Sequence, residues 1–114
     1  MKYVLLFVET EEFAKELEAM SPPDRDRAFM LAGQWFVENA DKVSGGHKLQ
    51  GAETATTVRL DRGADPVVVD GPFVEGKEVV SGYAEVEADD LDEVLRIVRT
   101  WPGCPVVEIR PIEG

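Results

Sequence analysis

The first predicted strand constrains the fold of this chain more than any other segment. Residues 2–8 read KYVLLFV, a continuous apolar and β-prone run that ends at Glu9. A strand with one solvated face alternates apolar and polar residues, whereas an unbroken apolar run is typical of a strand that is buried on both faces. We therefore expect this strand to lie inside a sheet that is covered on both sides.

Two helices are predicted to follow this strand. Residues 11–20 place three large apolar side chains on one helical face, namely Phe13, Leu17 and Met20. Ser21 then precedes Pro-Pro-Asp. This sequence is typical of a helix start, because serine caps free N–H groups, proline suits the first turn and a carboxylate complements the positive end of the dipole. The second helix is expected to run to about Ala40.

The rest of the chain is predicted to contain four further strands and one helix. The strands cover residues 55–60, 67–69, 79–87 and 106–110. Ser44-Gly45-Gly46 is predicted to be a turn, and a capping box formed by Asp90 and Glu93 precedes the third helix. The order β-α-α-β-β-β-α-β predicts an α+β fold, with a ferredoxin-like antiparallel sheet and helices on one face.

Composition limits the partners of such a fold. Residues 1–114 have the size of one domain, and 23 acidic against 12 basic residues give a net charge of -11. This charge and the lack of a Lys/Arg cluster disfavour nucleic acid and anionic membrane surfaces as partners. The single cysteine, Cys104, cannot form an intrachain disulfide, and no Cys/His cluster suggests a metal or another cofactor. We expect a cytoplasmic protein.

Strand alternation predicts a second, more polar face of the sheet. In residues 79–87, Val80, Gly82, Ala84 and Val86 are assigned to the helix side. Six side chains are assigned to the other face, namely Thr57, Arg59, Tyr83, Glu85, Glu108 and Arg110. Because the first strand is apolar on both sides, part of this face should be covered. A second subunit that packs sheet to sheet would cover it, so a homodimer with an enclosed polar cavity is expected.

The segment from Asp70 to Glu78, DGPFVEGKE, resembles the signature of the DGPF family of YCII-related proteins. Four flanking segments resemble other parts of that family, namely residues 55–59 (ATTVR), 81–83 (SGY), 91–93 (LDE) and 107–111 (VEIRP). The resemblance spans nearly the whole chain.

This resemblance implies a ferredoxin-like fold that pairs into a dimeric α/β barrel. Members of the family are often described as enzymes, and DGPF proteins are often encoded near extracytoplasmic-function sigma factors, which implies a transcription-factor partner. Other YCII proteins use a His–Asp pair whose histidine follows the first strand. Residues 9–30 contain no histidine, and His47 is the one histidine of the chain. The His–Asp pair is therefore not carried over.

The signature loop has two interpretations. Asp70 can accept hydrogen bonds from nearby N–H groups, and the proline after Gly71 restricts that glycine to an extended or glycine-only conformation. The loop then shapes the barrel rim or a dimer contact. Alternatively, the charged groups of the loop, Glu75, Lys77 and Glu78, form an acid/base or anion-binding rim over the cavity.

The polar face has two interpretations as well. Arg59 and Arg110 can form a structural network with Glu85 and Glu108, or their planar guanidinium groups can bind a ligand carboxylate or phosphate. Tyr83 is either a packed ring or a proton donor. His47 is either a surface residue or a proton carrier at a cavity mouth. Asp70, Tyr83 and His47 are thus the catalytic candidates.

Three functions agree with these observations. The first is a dimer that binds a small molecule, for example an anionic one, and catalyses metal-free acid/base chemistry. The proposed ligand-binding residues are Arg59, Glu75, Lys77, Glu85 and Arg110. The second is a non-catalytic ligand-sensing or regulatory module associated with a sigma factor, and the third is a structural interaction protein. The sequence does not decide whether the chain is an enzyme.

Overall fold

A computed structural model describes residues 1–60, 63–74 and 76–114. Its helices are α1 (Glu11–Ala19), α2 (Pro22–Glu38) and α3 (Leu91–Val98), with a short 3-10 helix over Ala52–Thr54. Its strands are β1 (Lys2–Thr10), β2 (Val43–Lys48), β3 (Thr56–Arg59), β4 (Val67–Asp70), β5 (Glu78–Glu87) and β6 (Val106–Pro111).

The main sheet has four antiparallel strands in the order β2-β5-β1-β6. With β3 and β4 set aside, this is the strand order of a ferredoxin-like fold, and β1 lies inside the sheet as expected. The predicted α+β, ferredoxin-like fold of the protomer is therefore confirmed. Strands β3 and β4 form a separate two-stranded antiparallel sheet between β2 and β5 in the chain.

All three helices begin at the capping residues that local chemistry favours. The Thr10 hydroxyl accepts a hydrogen bond from the N–H of Phe13 at 3.1 Å, and that of Ser21 accepts one from the N–H of Asp24 at 3.3 Å. The Asp90 carboxylate accepts one from the N–H of Glu93 at 2.9 Å. Each cap satisfies a backbone donor that has no partner within its helix.

The core lies between the helices and one face of the main sheet. Its buried residues are Tyr3, Leu5, Phe7, Trp35, Val43, Ala84, Val86, Ala88, Val94 and Cys104. Trp35 anchors α2 to the chain after α3, because its indole N–H donates to the Thr100 hydroxyl at 2.8 Å. The remaining face of the sheet, which we call the open face, has none of the described helices packed on it, since α1, α2 and α3 all contribute side chains to the core.

The predicted turn at Ser44-Gly45-Gly46 is wrong, because these residues lie within strand β2. Gly45 has a φ of 65°, and the pairing of β2 with β5 shifts register between Ser44 and His47. The two glycines thus form an irregularity inside a strand, which a turn-like sequence does not distinguish from a turn.

The predicted position of Val80 is also wrong. The pairing of β1 with β5 shifts register after Phe7, so that Val80 lies opposite Val8 and Gly82 lies opposite Phe7. Ser81 is the extra residue of this bulge, and its hydroxyl donates to the carbonyl oxygen of Phe7 at 3.3 Å. Because one extra residue reverses the alternation, Val80 lies on the open face.

Thr57 and Arg59 were predicted on the polar face of the main sheet, and this placement is wrong. Both residues lie in β3, which pairs with β4 and not with the main sheet in the described part of the chain. The other four predicted residues do lie on the open face. They are Tyr83, Glu85, Glu108 and Arg110, which lie opposite Val4 or Leu6.

Candidate functional site

An apolar cavity of about 530 Å³ lies between the main sheet and helices α1 and α2. Its floor is formed by Phe7, Gly82 and Trp101. Its walls come from the two helices and the residue between them: Phe13 and Leu17 in α1, Met20 directly after α1, and Ala28, Phe29, Ala32, Gly33 and Phe36 in α2. The small residues of α2 leave this space open, because a β-carbon added at Gly33 would have no neighbour within 4 Å.

The polar groups of the cavity are grouped at its mouth, near the edge strand β2. Lys48 and Glu9 line the cavity there and form an ion pair, with Nζ and Oε1 3.4 Å apart. His47 and Tyr83 lie directly opposite each other in the β2–β5 pairing, with ring centroids 6.0 Å apart, and both rings lie on the open face because Tyr83 lies opposite Leu6. Two of the three predicted catalytic candidates therefore lie together.

Cys104 also lines this cavity and is buried. Burial raises the pKa of the Cys104 thiol, because the thiolate is poorly solvated there. The thiol donates to the carbonyl oxygen of Val106 at 3.6 Å. The raised pKa makes Cys104 a poor nucleophile, in agreement with the sequence, which places no base beside it.

Alkylation of Cys104 should therefore be slow in the native protein. At pH 8 we expect iodoacetamide to react with it at least about tenfold more slowly than in the urea-unfolded chain. Because the pKa is raised, the native rate should still increase with pH where the rate of an exposed thiol levels off. Mass spectrometry over a pH series measures both rates, and equal rates in the two states would contradict the buried position.

The third catalytic candidate, Asp70, lies away from this pair in sequence and structure, at the end of β4. It lies opposite Thr56, and Gly71 after it has a φ of 111°, so the glycine-only conformation is confirmed. The Thr57 hydroxyl donates to the carbonyl oxygen of Gly71 at 2.6 Å. These contacts make Asp70 part of a hairpin end rather than part of the cavity mouth.

The predicted ligand-binding residues are distributed over several surfaces. The Arg59 guanidinium lies 5.5 Å from the centroid of the Phe73 ring, a cation–π contact between the end of β3 and the loop after β4. Lys77 lines a second cavity of about 360 Å³ beside Glu9 and Lys48. Glu75 lies outside the described residues. Their role in binding stays a prediction.

Glu85 and Arg110 lie on the open face, as predicted. Glu85 lies opposite Val4 on one side and Ser44 on the other. Arg110 forms an exposed ion pair with Glu108, two residues earlier in the same strand. The structure therefore favours the network interpretation for Arg110, and it leaves Glu85 without an ion-pair partner among the described residues.

The sequence analysis did not predict the apolar cavity. The signal that was available is the alternation of large and small residues along α2, where Ala28, Ala32 and Gly33 stand beside Phe29 and Phe36. Among the described residues, no group of three or more His, Cys, Asp or Glu side chains is placed to hold a metal ion. In that part of the chain no helix has the length and apolar character of a membrane span.

The arrangement defines a class of protein, a ferredoxin-like α+β protomer with an apolar cavity under its helices. The chain matches the YCII-related domain over residues 1–113 and belongs to the family of proteins with this domain. It is 33% identical over 81 residues to an uncharacterized protein of Rhizobium meliloti (strain 1021). That alignment covers 68% of this chain and 64% of the relative, so the chain spans less than two thirds of its length.

Among solved structures, the similarity to an enzyme of the same fold extends over nearly the whole chain. This enzyme is 5-chloro-2-hydroxyhydroquinone dehydrochlorinase (TftG) from Burkholderia phenoliruptrix AC1100, in complex with 2,5-dihydroxybenzoquinone. The TM-score is 0.58 and the identity 14%, over 99% of this chain and 94% of that chain. At this identity the similarity shows the fold alone.

Proposed function

We propose that this chain binds a small, largely apolar organic molecule in the cavity between the main sheet and helices α1 and α2. The observation that carries the proposal is the cavity itself, about 530 Å³ in volume, with apolar walls and polar groups at one end. Ligand sites in proteins typically have volumes of roughly 300–1,000 Å³ and combine apolar walls with a few placed polar groups.

The lining favours a planar ring as the ligand. The rings of Phe7 and Trp101 have centroids 4.6 Å apart, and that of Phe36 lies 5.7 Å from that of Trp101. Aromatic side chains pack well against flat apolar molecules. The complex of TftG with 2,5-dihydroxybenzoquinone, on the same fold, supports this choice. A hydroxylated aromatic or a quinone is thus the class of ligand that we propose.

Lys48 and Glu9 are proposed to meet the polar end of this molecule, since their ion pair lies at the edge of the cavity. An ammonium group donates hydrogen bonds and a carboxylate accepts them. A ring hydroxyl of the ligand would therefore meet a proton donor and a proton acceptor. This supports metal-free acid/base catalysis. The alternative is a ligand-sensing module, which would bind the molecule without converting it to a product.

The signature at residues 70–78 supports assignment to the DGPF type within the YCII-related proteins. Pairing into a homodimer, which the apolar first strand and the same resemblance indicate, stays a prediction, and so does a cytoplasmic location, which the single cysteine indicates. An anionic ligand group is proposed to meet Lys48 or Lys77, which line the neighbouring cavity of about 360 Å³. The role of a sigma factor as partner is proposed only for the regulatory alternative.

Filling the cavity at Gly33 tests the proposal. Gly33→Leu should fill part of the cavity with the leucine side chain and reduce ligand binding at least about a hundredfold, because the ligand can no longer occupy the same space and contact the cavity walls. The matched control is Gly33→Ala, which should keep binding and raise the free energy of unfolding by about 0.5–1 kcal/mol, because alanine is the better helix former.

The measurement is quenching of tryptophan fluorescence by a series of hydroquinones and benzoquinones, because Trp101 lines the cavity and Trp35 packs 5.0 Å from it, between ring centroids. Binding by the wild type and by Gly33→Ala, with loss in Gly33→Leu, supports the site. Equal quenching of all three proteins would show that these compounds bind elsewhere.

A further inference from the structure

The paired strands β3 and β4, which we call the arm, expose more apolar surface than a folded chain normally leaves in water. The three valines of β4 are all about half exposed or more, at 54% for Val67, 63% for Val68 and 49% for Val69. A two-stranded hairpin is marginally stable by itself in water. The arm therefore needs a surface to pack against, and in the described part of the chain it pairs only within itself.

The dimensions of the whole chain also indicate that part of its surface is normally covered by a partner. Its Cα radius of gyration is 16.4 Å, whereas a compact domain of this length has about 13 Å. Its accessible surface is 8428 Å², about 2,200 Å² more than expected for a folded monomer of this mass. Each subunit of a stable, obligate dimer contributes roughly 1,000–2,500 Å² to the interface. The excess is therefore of the size that one dimer contact would cover.

The open face of the main sheet is the second uncovered surface. Its apolar side chains are those of Val4, Leu6 and Val8 of β1, and Val8 lies opposite Val80 of β5 and Val106 of β6, whereas Val4 and Leu6 lie opposite Tyr83, Glu85, Glu108 and Arg110. Val80 and Val106 are exposed to 43% and 37%. One chain thus presents an apolar arm and an apolar sheet face, and a twofold pair covers both at once, because each copy offers the same two surfaces.

Charge selects the side of the arm that makes the contact. The cross-strand pairs place Arg59, Val67 and Val69 on one side of the arm and Val58 with Val68 on the other. Arg59 forms no ion pair with a carboxylate among the described residues, and Glu85 on the open face forms none either. Opposite charges across an interface fix its register and disfavour other partners.

We infer that the arm of one copy packs across the open face of a second copy, so that Arg59 lies next to the partner's Glu85. The occupant of the open face is thus a second copy of this chain. The inference specifies the pairing that the resemblance implies and rests on that pairing. It does not rest on the cavity ligand, because the described residues that line the cavity belong to a single chain.

Charge reversal tests the contact between copies. In a twofold dimer, the contact between residue 59 of one copy and residue 85 of the other occurs twice. In the Arg59→Glu protein and in the Glu85→Arg protein both contacts bring like charges together, so the dissociation constant of each dimer should rise at least about a hundredfold. An equimolar mixture of the two variants should restore dimers, because both contacts then join opposite charges. A contact within one chain would not respond to mixing.

The readout is mass by light scattering, with circular dichroism to show that each variant is folded. The wild type should have about twice the chain mass of 12.6 kDa, each charge variant about the chain mass, and the mixture again the doubled mass. Val67→Asp should also dissociate the pair. The matched control, Val37→Asp, changes a 76% exposed residue of α2 and should stay dimeric.

The remaining outcomes are decisive too. A monomeric wild type would overturn the inference together with the pairing. Folded, dimeric Arg59→Glu and Glu85→Arg proteins would overturn the arm contact and leave the pairing intact. Monomeric variants whose mixture does not recover dimers would overturn the Arg59–Glu85 contact. Quinone binding to the cavity is measured separately, so its failure would not affect these results.

Discussion

Replacing Phe7 by alanine should lower the free energy of unfolding by about 3–5 kcal/mol, the largest loss that we expect from a single substitution. Phe7 is 5% exposed and joins the core to the cavity. Its ring lies 4.6 Å from that of Trp101, 5.9 Å from that of Phe36 and 6.5 Å from that of Trp35, between centroids. Alanine would remove the shared contact of these three rings.

The size of the loss depends on how far the neighbours can close the gap. The ring of Phe7 already borders an open cavity, so its removal enlarges a space that is not closed by packing. Urea unfolding, followed by circular dichroism, measures the change. Phe7→Leu is the matched comparison and should cost less than about 1.5 kcal/mol, because it keeps most of the apolar volume. If both substitutions cost the same, the aromatic contacts do not stabilise the core as proposed.

The helix starts could be predicted from sequence because they depend on local chemistry. A hydroxyl or carboxylate that accepts from an N–H three residues later needs no distant partner, and Ser21 and Asp90 act in this way. The central position of β1 could also be predicted, since a strand without a polar face has few alternatives. These two kinds of signal were sufficient to give the ferredoxin-like fold.

Strand β2 could not be predicted, because its own residues do not favour a strand. The sequence Val-Ser-Gly-Gly-His-Lys has two glycines and one β-branched residue. The strand forms by pairing with β5, where Val43 lies opposite Val86 and His47 lies opposite Tyr83. Local propensity is thus overridden by a tertiary contact, and the position of His47 beside Tyr83 on the open face was missed for the same reason.

The polar face was predicted in part, and the errors have one physical cause. Alternation assigns side chains correctly only within an uninterrupted strand of a known sheet. The extra residue Ser81 reversed the position of Val80, and the separate pairing of β3 with β4 removed Arg59 from the main sheet. The cavity could not be predicted, because a sequence shows which face of a helix is apolar but does not show the distance between the helices and the sheet.

Gly46→Val should have the second large effect on stability, with a loss of about 1–3 kcal/mol. A β-carbon at Gly46 would lie 2.7 Å from the carbonyl oxygen of Tyr83 and 3.0 Å from the β-carbon of Ala84. Both atoms belong to strand β5. The paired backbone must therefore shift apart, and it cannot relax as a flexible side chain would.

The same substitution should weaken ligand binding, because Lys48 lines the cavity two residues after Gly46 and depends on the β2–β5 pairing for its place beside Glu9. The matched control is Gly76→Val, since a β-carbon there meets nothing within 4 Å, and its stability should change by no more than about 0.5 kcal/mol. Urea unfolding and quinone quenching of both variants give the two readouts. If Gly46→Val is as stable as Gly76→Val and binds as the wild type does, β2 is not held close to β5, and the assignment of Lys48 to the polar end of the cavity fails with it.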